Sequence, residues 1–301
     1  MVDLSVRIGK LQLRNPTMLA SGILGDKASL LERAYRAGAG AVVTKSFTRE
    51  PREGYATPII VGVPCGFINA VGLANPGKDG LKSVLEKIRG KFPVIVSIAG
   101  ATVEEFVELA VIAEDYGADG LELNMSCPHA ERRGLEIGSD PSIVGKIVED
   151  VKQSVKIPIF VKLGLSDNIF ESCKQAEEAG ADALVLINTI RAMKIDIWIR
   201  KPVLSHKYGG LSGQAIHPIA VFTVYRAYEI VDIPVIGVGG VTNWEDAVEF
   251  LLAGASAVQI GSSLALKGYN IFSEIVNGIR HYLEKIGFSS VRDIIGLAHE
   301  E

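Results

Sequence analysis

Residues 122–129 combine four side chains that can take part in chemistry: an amide, a hydroxyl, a thiol and an imidazole. The stretch reads Glu-Leu-Asn-Met-Ser-Cys-Pro-His, and its apolar positions predict a buried strand. Pro128 must end that strand because proline cannot donate a ladder hydrogen bond. Cys127 is therefore expected at the end of a strand. A lone cysteine is more often a small core residue than a reactive group, so its role depends on what the other strands bring beside it.

The composition is that of a folded, enzyme-like chain. It has 301 residues, of which 48% are hydrophobic and 22% charged, and its formal net charge is −4. These values exclude a disordered protein, and the lack of a block of basic residues argues against nucleic acid as a partner. No apolar run approaches the ~18 residues of a membrane span, and the N-terminus is unlike a signal peptide. We therefore expect a cytoplasmic protein with no membrane contact.

The three cysteines, Cys65, Cys127 and Cys173, are odd in number and far apart in the sequence. This pattern fits neither a disulfide framework nor a zinc or iron–sulfur ligand set. We expect no metal site in this chain, and any metal cluster would have to lie on another subunit. Cys65 and Cys173 are interpreted as structural residues.

Proline and glycine residues alternate as markers in front of eight short apolar segments. The markers are Pro16, Gly38, Pro93, Gly117, Pro158, Gly180, Pro234 and Gly254. Glycine can end a helix in the left-handed conformation, and proline can open a strand without losing an interior hydrogen bond. Helical patterns lie between the markers, for example at residues 103–113 and 244–252. The alternation predicts an α/β protein, a (β/α)8 TIM barrel, with residues 1–301 in a single domain.

Three segments exceed this minimal repeat. Residues 3–14 alternate around Gly9 and Lys10, which predicts an N-terminal hairpin, interpreted as a lid over the barrel bottom. Residues 48–76 and 189–214 are long insertions after the second and sixth strands. Both follow the carboxyl ends of strands, the face on which barrel enzymes build their sites.

Nearly every predicted strand ends in a polar residue or a glycine. In chain order these are Ser21 and Gly22, Lys45 and Ser46, Ser97, Asn124, Lys162, Asn188 and Thr189, Gly239 and Gly240, and Gly261 and Ser262. A single lysine could be an ordinary rim charge, but two lysines and two asparagines at one barrel mouth favour a binding site. The glycines after the last two strands favour a phosphate, because backbone N–H groups can approach an anion closely there. A phosphate-anchored cofactor with a polar ring fits this rim better than a free phosphate substrate.

Five separated motifs resemble those of class 1 dihydroorotate dehydrogenases. They are Asn69-Ala-Val-Gly-Leu-Ala-Asn-Pro-Gly77, Glu122-Leu-Asn-Met-Ser-Cys-Pro128, Ile187-Asn-Thr189, Gly209-Gly-Leu-Ser-Gly213 and Val238-Gly-Gly-Val241. The resemblance runs from about residue 3 to 285. Pro202-Val-Leu204, followed by the fourth motif, is more similar to the NAD-linked subclass than to the fumarate-dependent one. The membrane-bound class typically has a serine base, whereas this chain has Cys127.

The resemblance implies the FMN-dependent oxidation of dihydroorotate to orotate in de novo pyrimidine biosynthesis. Cys127 would be the catalytic base while a hydride passes to N5 of FMN, and Lys162 would face the N1 and O2 side of the flavin. The implied cofactor-binding residues are Ser21, Gly22, Lys45, Ser46, Ser97, Asn124, Lys162, Ile187, Gly213, Gly239, Gly240, Gly261 and Ser262. The implied substrate-binding residues are Lys45, Asn69, Ala70, Val71, Gly72, Leu73, Asn124, Asn188 and Thr189. Residues 128–138 would form a loop that closes over the substrate.

The resemblance also implies a homodimer. NAD use would require a partner subunit carrying FAD and a [2Fe-2S] cluster, in a heterotetramer, because this chain has too few suitably spaced cysteines for a cluster and no separate dinucleotide-binding fold. The electron acceptor is therefore not specified by this chain.

Two positions depart from the family pattern. His129 stands where the family commonly has asparagine, and Cys-Pro-His is frequent in the flavin domain of dihydropyrimidine dehydrogenase, which acts on uracil and thymine. The pattern from Asn69 to Leu73 favours dihydroorotate instead. Arg191 also replaces a small or apolar residue, which leaves the local substrate or partner contact open.

Other functions remain open from the residues alone. A barrel that binds a phosphorylated ligand without turnover would need neither Lys162 beside a flavin nor a thiol base at Cys127. An enzyme that uses Cys127 as a nucleophile would form a covalent adduct, which the flavin reading does not require.

Overall fold

The computed structural model describes residues 2–125 and 137–300. Within these ranges the strands are β1 (Val6–Ile8), β2 (Leu11–Leu13), β3 (Thr17–Leu19), β4 (Ala41–Val43), β5 (Ile60–Val63), β6 (Gly66–Asn69), β7 (Val94–Ile98), β8 (Gly120–Asn124), β9 (Ile159–Leu163), β10 (Ala183–Leu186), β11 (Ile190–Ala192), β12 (Ile195–Asp196), β13 (Lys201–Pro202), β14 (Gly209–Ser212), β15 (Val235–Val238) and β16 (Ala255–Ile260). The helices are α1 (Ala28–Arg36), α2 (Gly77–Ile88), α3 (Val103–Asp115), α4 (Pro141–Ser154), α5 (Ile169–Glu178), α6 (His217–Tyr228), α7 (Trp244–Leu252), α8 (Ser263–Lys267) and α9 (Ile271–Ile286).

Eight of these strands close into a parallel barrel in the order β3, β4, β7, β8, β9, β10, β15 and β16, with β16 pairing back to β3. This confirms the (β/α)8 barrel predicted from the sequence. Each barrel strand starts directly after its predicted proline or at most three positions after its glycine. The four marker glycines all have positive φ, from +86° at Gly117 to +121° at Gly38, as helix-ending glycines do.

The helices cover the outside of the barrel with one apolar face each. In α3, Phe106, Leu109, Ala110 and Ala113 are buried, and the side chain of Thr102 caps the helix by accepting a hydrogen bond from the N–H of Glu105. Burying a large apolar side chain contributes roughly 1.5–3 kcal/mol, so such faces hold the helices firmly on the strands. The strand ends consequently project from a rigid frame.

The predicted N-terminal hairpin is confirmed. β1 and β2 pair antiparallel, with Val6 opposite Leu13, around a turn in which Gly9 has a φ of +58°. Val6, Ile8 and Leu13 are buried. Gly9 packs beside Asp182, the residue just before β10, so the hairpin lies at the barrel end where the strands begin.

The two insertions are also confirmed, and they fold together. β5 and β6 follow the second barrel strand, β11 and β14 follow the sixth, and the four pair as one antiparallel sheet in the order β11, β14, β6, β5. Asn69 of β6 lies opposite Gly210 of β14. Because the insertions share a sheet, they form one continuous wall above the barrel mouth.

In the part of the chain that the structure describes, no helix has the length and apolar character needed to cross a membrane.

Candidate active site

A cavity of about 370 Å³ opens at the carboxyl ends of the barrel strands, under the sheet built by the two insertions. This volume lies within the ~300–1,000 Å³ typical of small-molecule sites. The residues that the sequence predicted for the site and that line this cavity are Ser21, Gly22, Lys45, Ser46, Asn69, Ala70, Val71, Gly72, Leu73, Asn124, Lys162, Ile187, Asn188, Thr189, Gly213, Gly239, Gly240, Gly261 and Ser262. The structure therefore brings together residues that lie up to 241 positions apart in the chain, from Ser21 to Ser262.

Ser97 is the predicted cofactor-binding residue that the structure places behind the cavity wall. It is fully buried, and its Oγ lies 2.9 Å from Oγ of Ser46. Oγ of Ser46 is in turn 3.2 Å from Oγ of Ser21 and accepts a hydrogen bond of 3.0 Å from Nδ2 of Asn124. Ser97 thus supports a polar chain that reaches the cavity through its neighbours.

The same polar chain continues to the sixth barrel strand. Nδ2 of Asn188 donates to Oδ1 of Asn124 at 3.3 Å, and Oδ1 of Asn188 accepts from the backbone N–H of Thr189 at 2.8 Å. These bonds set which end of each amide faces which neighbour. The amides are therefore preorganised before any ligand enters.

Lys162 lies at the floor of the cavity with two partners that the sequence reading missed. Its Nζ donates to Oε1 of Gln259 at 3.2 Å and lies 3.6 Å from Oε1 of Glu122. Nε2 of Gln259 donates to Oε2 of Glu122 at 2.6 Å. Glu122 is completely buried, so this is a charged cluster inside the barrel. Its sequence signal was the two-residue spacing of Glu122 and Asn124, which puts both side chains on one strand face.

Lys45 differs from Lys162 in its surroundings. It is half-buried at the cavity wall, and within residues 2–125 and 137–300 it makes no ion pair. An ammonium group without an anionic neighbour in a cavity is suited to binding a carboxylate or another anionic group.

Backbone groups dominate the part of the rim after β15 and β16. Gly239 and Gly240 have φ values of +138° and +73°. A side chain at Gly240 would place its Cβ 2.6 Å from Cβ of His217 and 2.9 Å from the carbonyl oxygen of Gly213, so only glycine fits. In the described part of the chain, the N–H groups of Gly240, Gly261 and Ser262 donate to no backbone or side-chain acceptor. They are available for an anion.

The segments that follow β15 and β16 lead into their helices in different ways. Val241, Thr242 and Asn243 separate Gly240 from α7, because Asn243 and Asp246 form a capping box that sets the start of α7 at Trp244. α8 does begin directly after Ser262, but it has only five residues. Individual N–H groups rather than long helix dipoles therefore define this part of the rim.

His217 is a further residue that the sequence reading missed. It is buried at the start of α6, with Nδ1 2.9 Å from the carbonyl oxygen of Gly239 and Nε2 3.0 Å from Oε2 of Glu249. The His217 ring therefore connects the turn at Gly239 to Glu249 of α7, and its bond to the Gly239 carbonyl holds the backbone of that turn in place.

The insertion sheet supplies the wall opposite the barrel floor. Nδ2 of Asn69 is 3.4 Å from the carbonyl oxygen of Gly210, and a Cβ at Gly210 would overlap Oγ1 of Thr189. This glycine therefore leaves room for Thr189 at the cavity. No spacing within the sequence signals this contact, because it depends on pairing between the two insertions.

An aromatic group completes the same wall. The rings of Tyr55 and His206 stack with centroids 3.9 Å apart, and the ring of Tyr208 lies 5.1 Å from that of His206. The guanidinium of Arg191 lies 5.9 Å from the Tyr208 ring centroid, and all four residues line the cavity. Arg191 thus contacts the cavity wall.

Cys127, the predicted base, lies outside the described residues together with His129 and with residues 128–136 of the predicted closing loop at 128–138. The other two cysteines are placed: Cys65 is exposed in the turn between β5 and β6, and Cys173 is buried in α5. Burial raises the pKa of the Cys173 thiol to about 12, so this thiol stays neutral near pH 7.

The fold and the rim define a class: α/β-barrel proteins with glycine backbone after the last two strands and lysine and amide side chains after other strands. Residues 3–283 match the family model for dihydroorotate dehydrogenase, and the chain belongs to this flavin-dependent oxidoreductase family.

Relatives of known name agree over the full chain. The chain is 50% identical over 300 residues to "Dihydroorotate dehydrogenase B (NAD(+)), catalytic subunit" of Pyrococcus furiosus, covering 99% of this chain and 100% of the relative. The protein of the same name from Pyrococcus horikoshii is 51% identical over 298 residues, covering 98% and 97%. That of Methanothermobacter thermautotrophicus is 48% identical over 300 residues, covering 99% of each. The resemblance to the NAD-linked subclass of class 1 is confirmed, and the uracil/thymine and non-catalytic alternatives are not favoured.

Proposed function

We propose that this chain is the catalytic subunit of an NAD-linked dihydroorotate dehydrogenase, which oxidises dihydroorotate to orotate in pyrimidine biosynthesis with FMN as its cofactor. One observation carries the proposal: lysines, amides and backbone N–H groups with no acceptor among the described residues meet around the barrel rim at one cavity of about 370 Å³. Its support is identity of about 50% along the whole chain to relatives whose printed name is that of this enzyme. We also propose that residues 1–301 act as one FMN-binding domain.

The residues present fit FMN. Its phosphate would be held by the N–H groups of Gly240, Gly261 and Ser262, which have no other acceptor in the described ranges. Its ring would lie over Lys162, whose ammonium stabilises negative charge at the ring edge. When bound, FMN supplies a hydride acceptor at N5.

The substrate would lie between the ring and the wall built by the insertions. Lys45, which has no ion pair among the described residues, would bind the substrate carboxylate. The amides of Asn69, Asn124 and Asn188 offer both donors and acceptors, which match the imide edges of a pyrimidine ring. These contacts would orient the substrate and exclude water from the reacting carbons.

Cys127 would remove a proton from one ring carbon of dihydroorotate, while the neighbouring carbon loses a hydride. Each loss takes one hydrogen, so the two together convert the single bond between these carbons to a double bond. The sulfur needs no covalent bond to the substrate, only a thiolate fraction at working pH.

The partner and the electron acceptor are proposals that follow the relatives' name, which states NAD(+) and a catalytic subunit. We propose that electrons leave through a separate subunit carrying FAD and a [2Fe-2S] cluster, and that the catalytic subunits form a homodimer within a heterotetramer. The cytoplasmic location expected from the sequence stays a prediction.

Anaerobic mixing tests the proposed function. The purified chain is reconstituted with FMN, and its flavin absorbance is followed after addition of dihydroorotate and, separately, of dihydrouracil. We expect dihydroorotate to bleach the flavin and dihydrouracil to leave it oxidised. A protein that binds no flavin would contradict the proposal, and bleaching by dihydrouracil alone would show that His129 marks a different substrate.

A further inference from the structure

The interior of the barrel contains a polar layer where apolar side chains are usual. Glu122 is on the fourth barrel strand and Gln259 is on the eighth, so the two strands face each other across the barrel. Their side chains meet in the middle, with Nε2 of Gln259 donating to Oε2 of Glu122 at 2.6 Å. Bulky branched side chains normally fill such layers, so a carboxylate and an amide here need a reason.

Among the described residues, no side-chain hydrogen bond reaches the Glu122 carboxylate from outside this cluster. Glu122 is completely buried, Gln259 is 1% exposed, and Oε1 of Glu122 has no hydrogen-bond partner among the described residues. A buried carboxylate is costly unless a cation is close to it. The cation in this cluster is Lys162, with Nζ 3.6 Å from Oε1 of Glu122.

The orientation of Gln259 follows from its two neighbours. A carboxylate can only accept a hydrogen bond and an ammonium can only donate one, so the amide must turn its NH₂ toward Glu122 and its oxygen toward Lys162. The oxygen accordingly accepts from Nζ of Lys162 at 3.2 Å. Glu122 thus acts on Lys162 in two ways, through direct attraction and through the amide that it orients.

Lys162 lies two register positions nearer the carboxyl ends of the strands than Glu122. In the strand register it lies opposite Asn124, whereas Glu122 lies opposite Phe160. Only 5% of the Lys162 residue is exposed, and this part faces the cavity. Lys162 and Gln259 both line the cavity, whereas Glu122 does not, so Lys162 is the charged residue of the cluster that borders the cavity.

We propose that Glu122 and Gln259 are positioning residues for Lys162, and that they hold its ammonium in place, directed at the flavin ring, before the flavin is reduced. This inference rests on the proposed function, because it takes FMN to occupy the cavity. An ammonium held in this way favours the reduced, anionic flavin over the oxidised one. Without the carboxylate and the amide that it orients, the ammonium would no longer be held toward the ring, and the preference would weaken.

The test measures the reduction potential of FMN bound to the full chain, together with the dissociation constant of oxidised FMN. For Glu122→Gln, we expect oxidised FMN to bind within about three-fold of the unsubstituted chain. We expect the preference for reduced FMN to fall about ten-fold, which corresponds to a potential lower by about 30 mV for a two-electron couple. In a Lys162→Met background, the same Glu122→Gln change should leave the potential unaltered, because no ammonium remains to be positioned.

Two further variants make the test decisive. Glu108→Gln is the matched control, because Glu108 makes a half-buried ion pair of 2.7 Å with Lys78 on the outer helices, and it should not change the potential. Gln259→Met keeps both charges but removes the bridging amide, so a smaller fall of about three-fold in the same direction is expected. Gln259→Met also tests the proposal if Glu122→Gln fails to fold.

The outcomes separate this inference from the proposed function. An unchanged or raised potential in Glu122→Gln overturns the inference, as does an equal change in the Lys162→Met background. An unchanged or raised potential in a folded Gln259→Met variant also overturns the inference. If the unsubstituted chain loads FMN and dihydroorotate reduces it, these results leave the proposed function intact. If the unsubstituted chain binds no FMN, both proposals fall.

Discussion

The two halves of the cavity rim are built by different means. After β15 and β16 the rim consists of glycine backbone, with the carbonyl of Gly239 hydrogen-bonded to His217 and Gly240 packed closely against His217 and the carbonyl of Gly213. Around β4, β8, β9 and β10 it consists of lysine and amide side chains joined by hydrogen bonds. We call these the phosphate side and the ring side.

The difference shows which groups can anchor a ligand and which groups can favour one of its redox states. The phosphate side offers N–H groups whose charge does not change with the redox state of a ligand, so it can anchor but cannot favour one state. The ring side contains groups with net charge, such as Lys162 over the buried Glu122, and these respond to charge that develops during a reaction. Substitutions on the phosphate side should therefore change the affinity for FMN, and substitutions on the ring side should change turnover.

Removal of the predicted base should have the largest effect. We expect Cys127→Ala to retain FMN and to slow flavin reduction by dihydroorotate ~10²–10⁴-fold, the usual contribution of a general base. Anaerobic stopped-flow absorbance measures the rate. Reduction at the original rate would remove Cys127 from the mechanism, while a loss of FMN from this variant would break the contrast between the two sides.

A side chain at Gly240 should act on binding instead. Its φ of +73° and the close approach of His217 predict strain of ~1–3 kcal/mol and overpacking of ~1–3 kcal/mol in Gly240→Val, hence a loss of FMN affinity of ~100-fold. FMN fluorescence titration measures the affinity. The control is Gly287→Val, which has a φ of +82° with no atom within 4 Å of the added Cβ and should bind FMN normally. An affinity within a few-fold of the original for Gly240→Val would show that the phosphate lies elsewhere.

Loss of one amide on the ring side should give a moderate effect. Asn188→Ala removes the donor to Asn124 and the acceptor for the N–H of Thr189, so we expect KM for dihydroorotate to rise ~10-fold while FMN stays bound. Steady-state assays with an artificial acceptor provide KM. Asn277→Ala, on the outer helix α9, is the control and should leave KM unchanged. An unaltered KM in Asn188→Ala would exclude this amide from substrate binding.

The smallest effect is expected at Cys173, the thiol that is buried in α5. In the Cys127→Ala background, a thiol-specific reagent at pH 8 should label exposed Cys65 quickly and leave Cys173 unlabelled until the protein unfolds. The pKa of Cys173, raised to about 12 by burial, means that the reactive thiolate is scarce at any pH below that value. Rapid labelling of two thiols in the native protein would contradict this placement.

Much of the fold followed from local signals in the sequence. Gly38 and Pro93 mark strand starts because helix ends need left-handed residues and strand openings tolerate proline, and both constraints act within a few positions. Residues at strand ends were likewise predictable, since parallel strands bring their carboxyl ends to one face.

What was missed depends on contacts between distant segments. Glu122 and Gln259 are 137 positions apart, and they meet only because the fourth and eighth strands face each other across a closed barrel. The shared sheet of the two insertions and the stack of Tyr55 on His206 have the same origin. No local periodicity in the sequence predicts contacts between such distant segments.

The most direct test of this division of labour compares the affinities of oxidised and reduced FMN for Lys162→Met and Gly240→Val. The proposed roles predict that Gly240→Val weakens both redox states by the same factor and so leaves the reduction potential unchanged. They predict that Lys162→Met weakens mainly the reduced state, by about ten-fold or more, and so lowers the potential. Equal losses for both states in Lys162→Met, or a potential shift in Gly240→Val, would contradict the account.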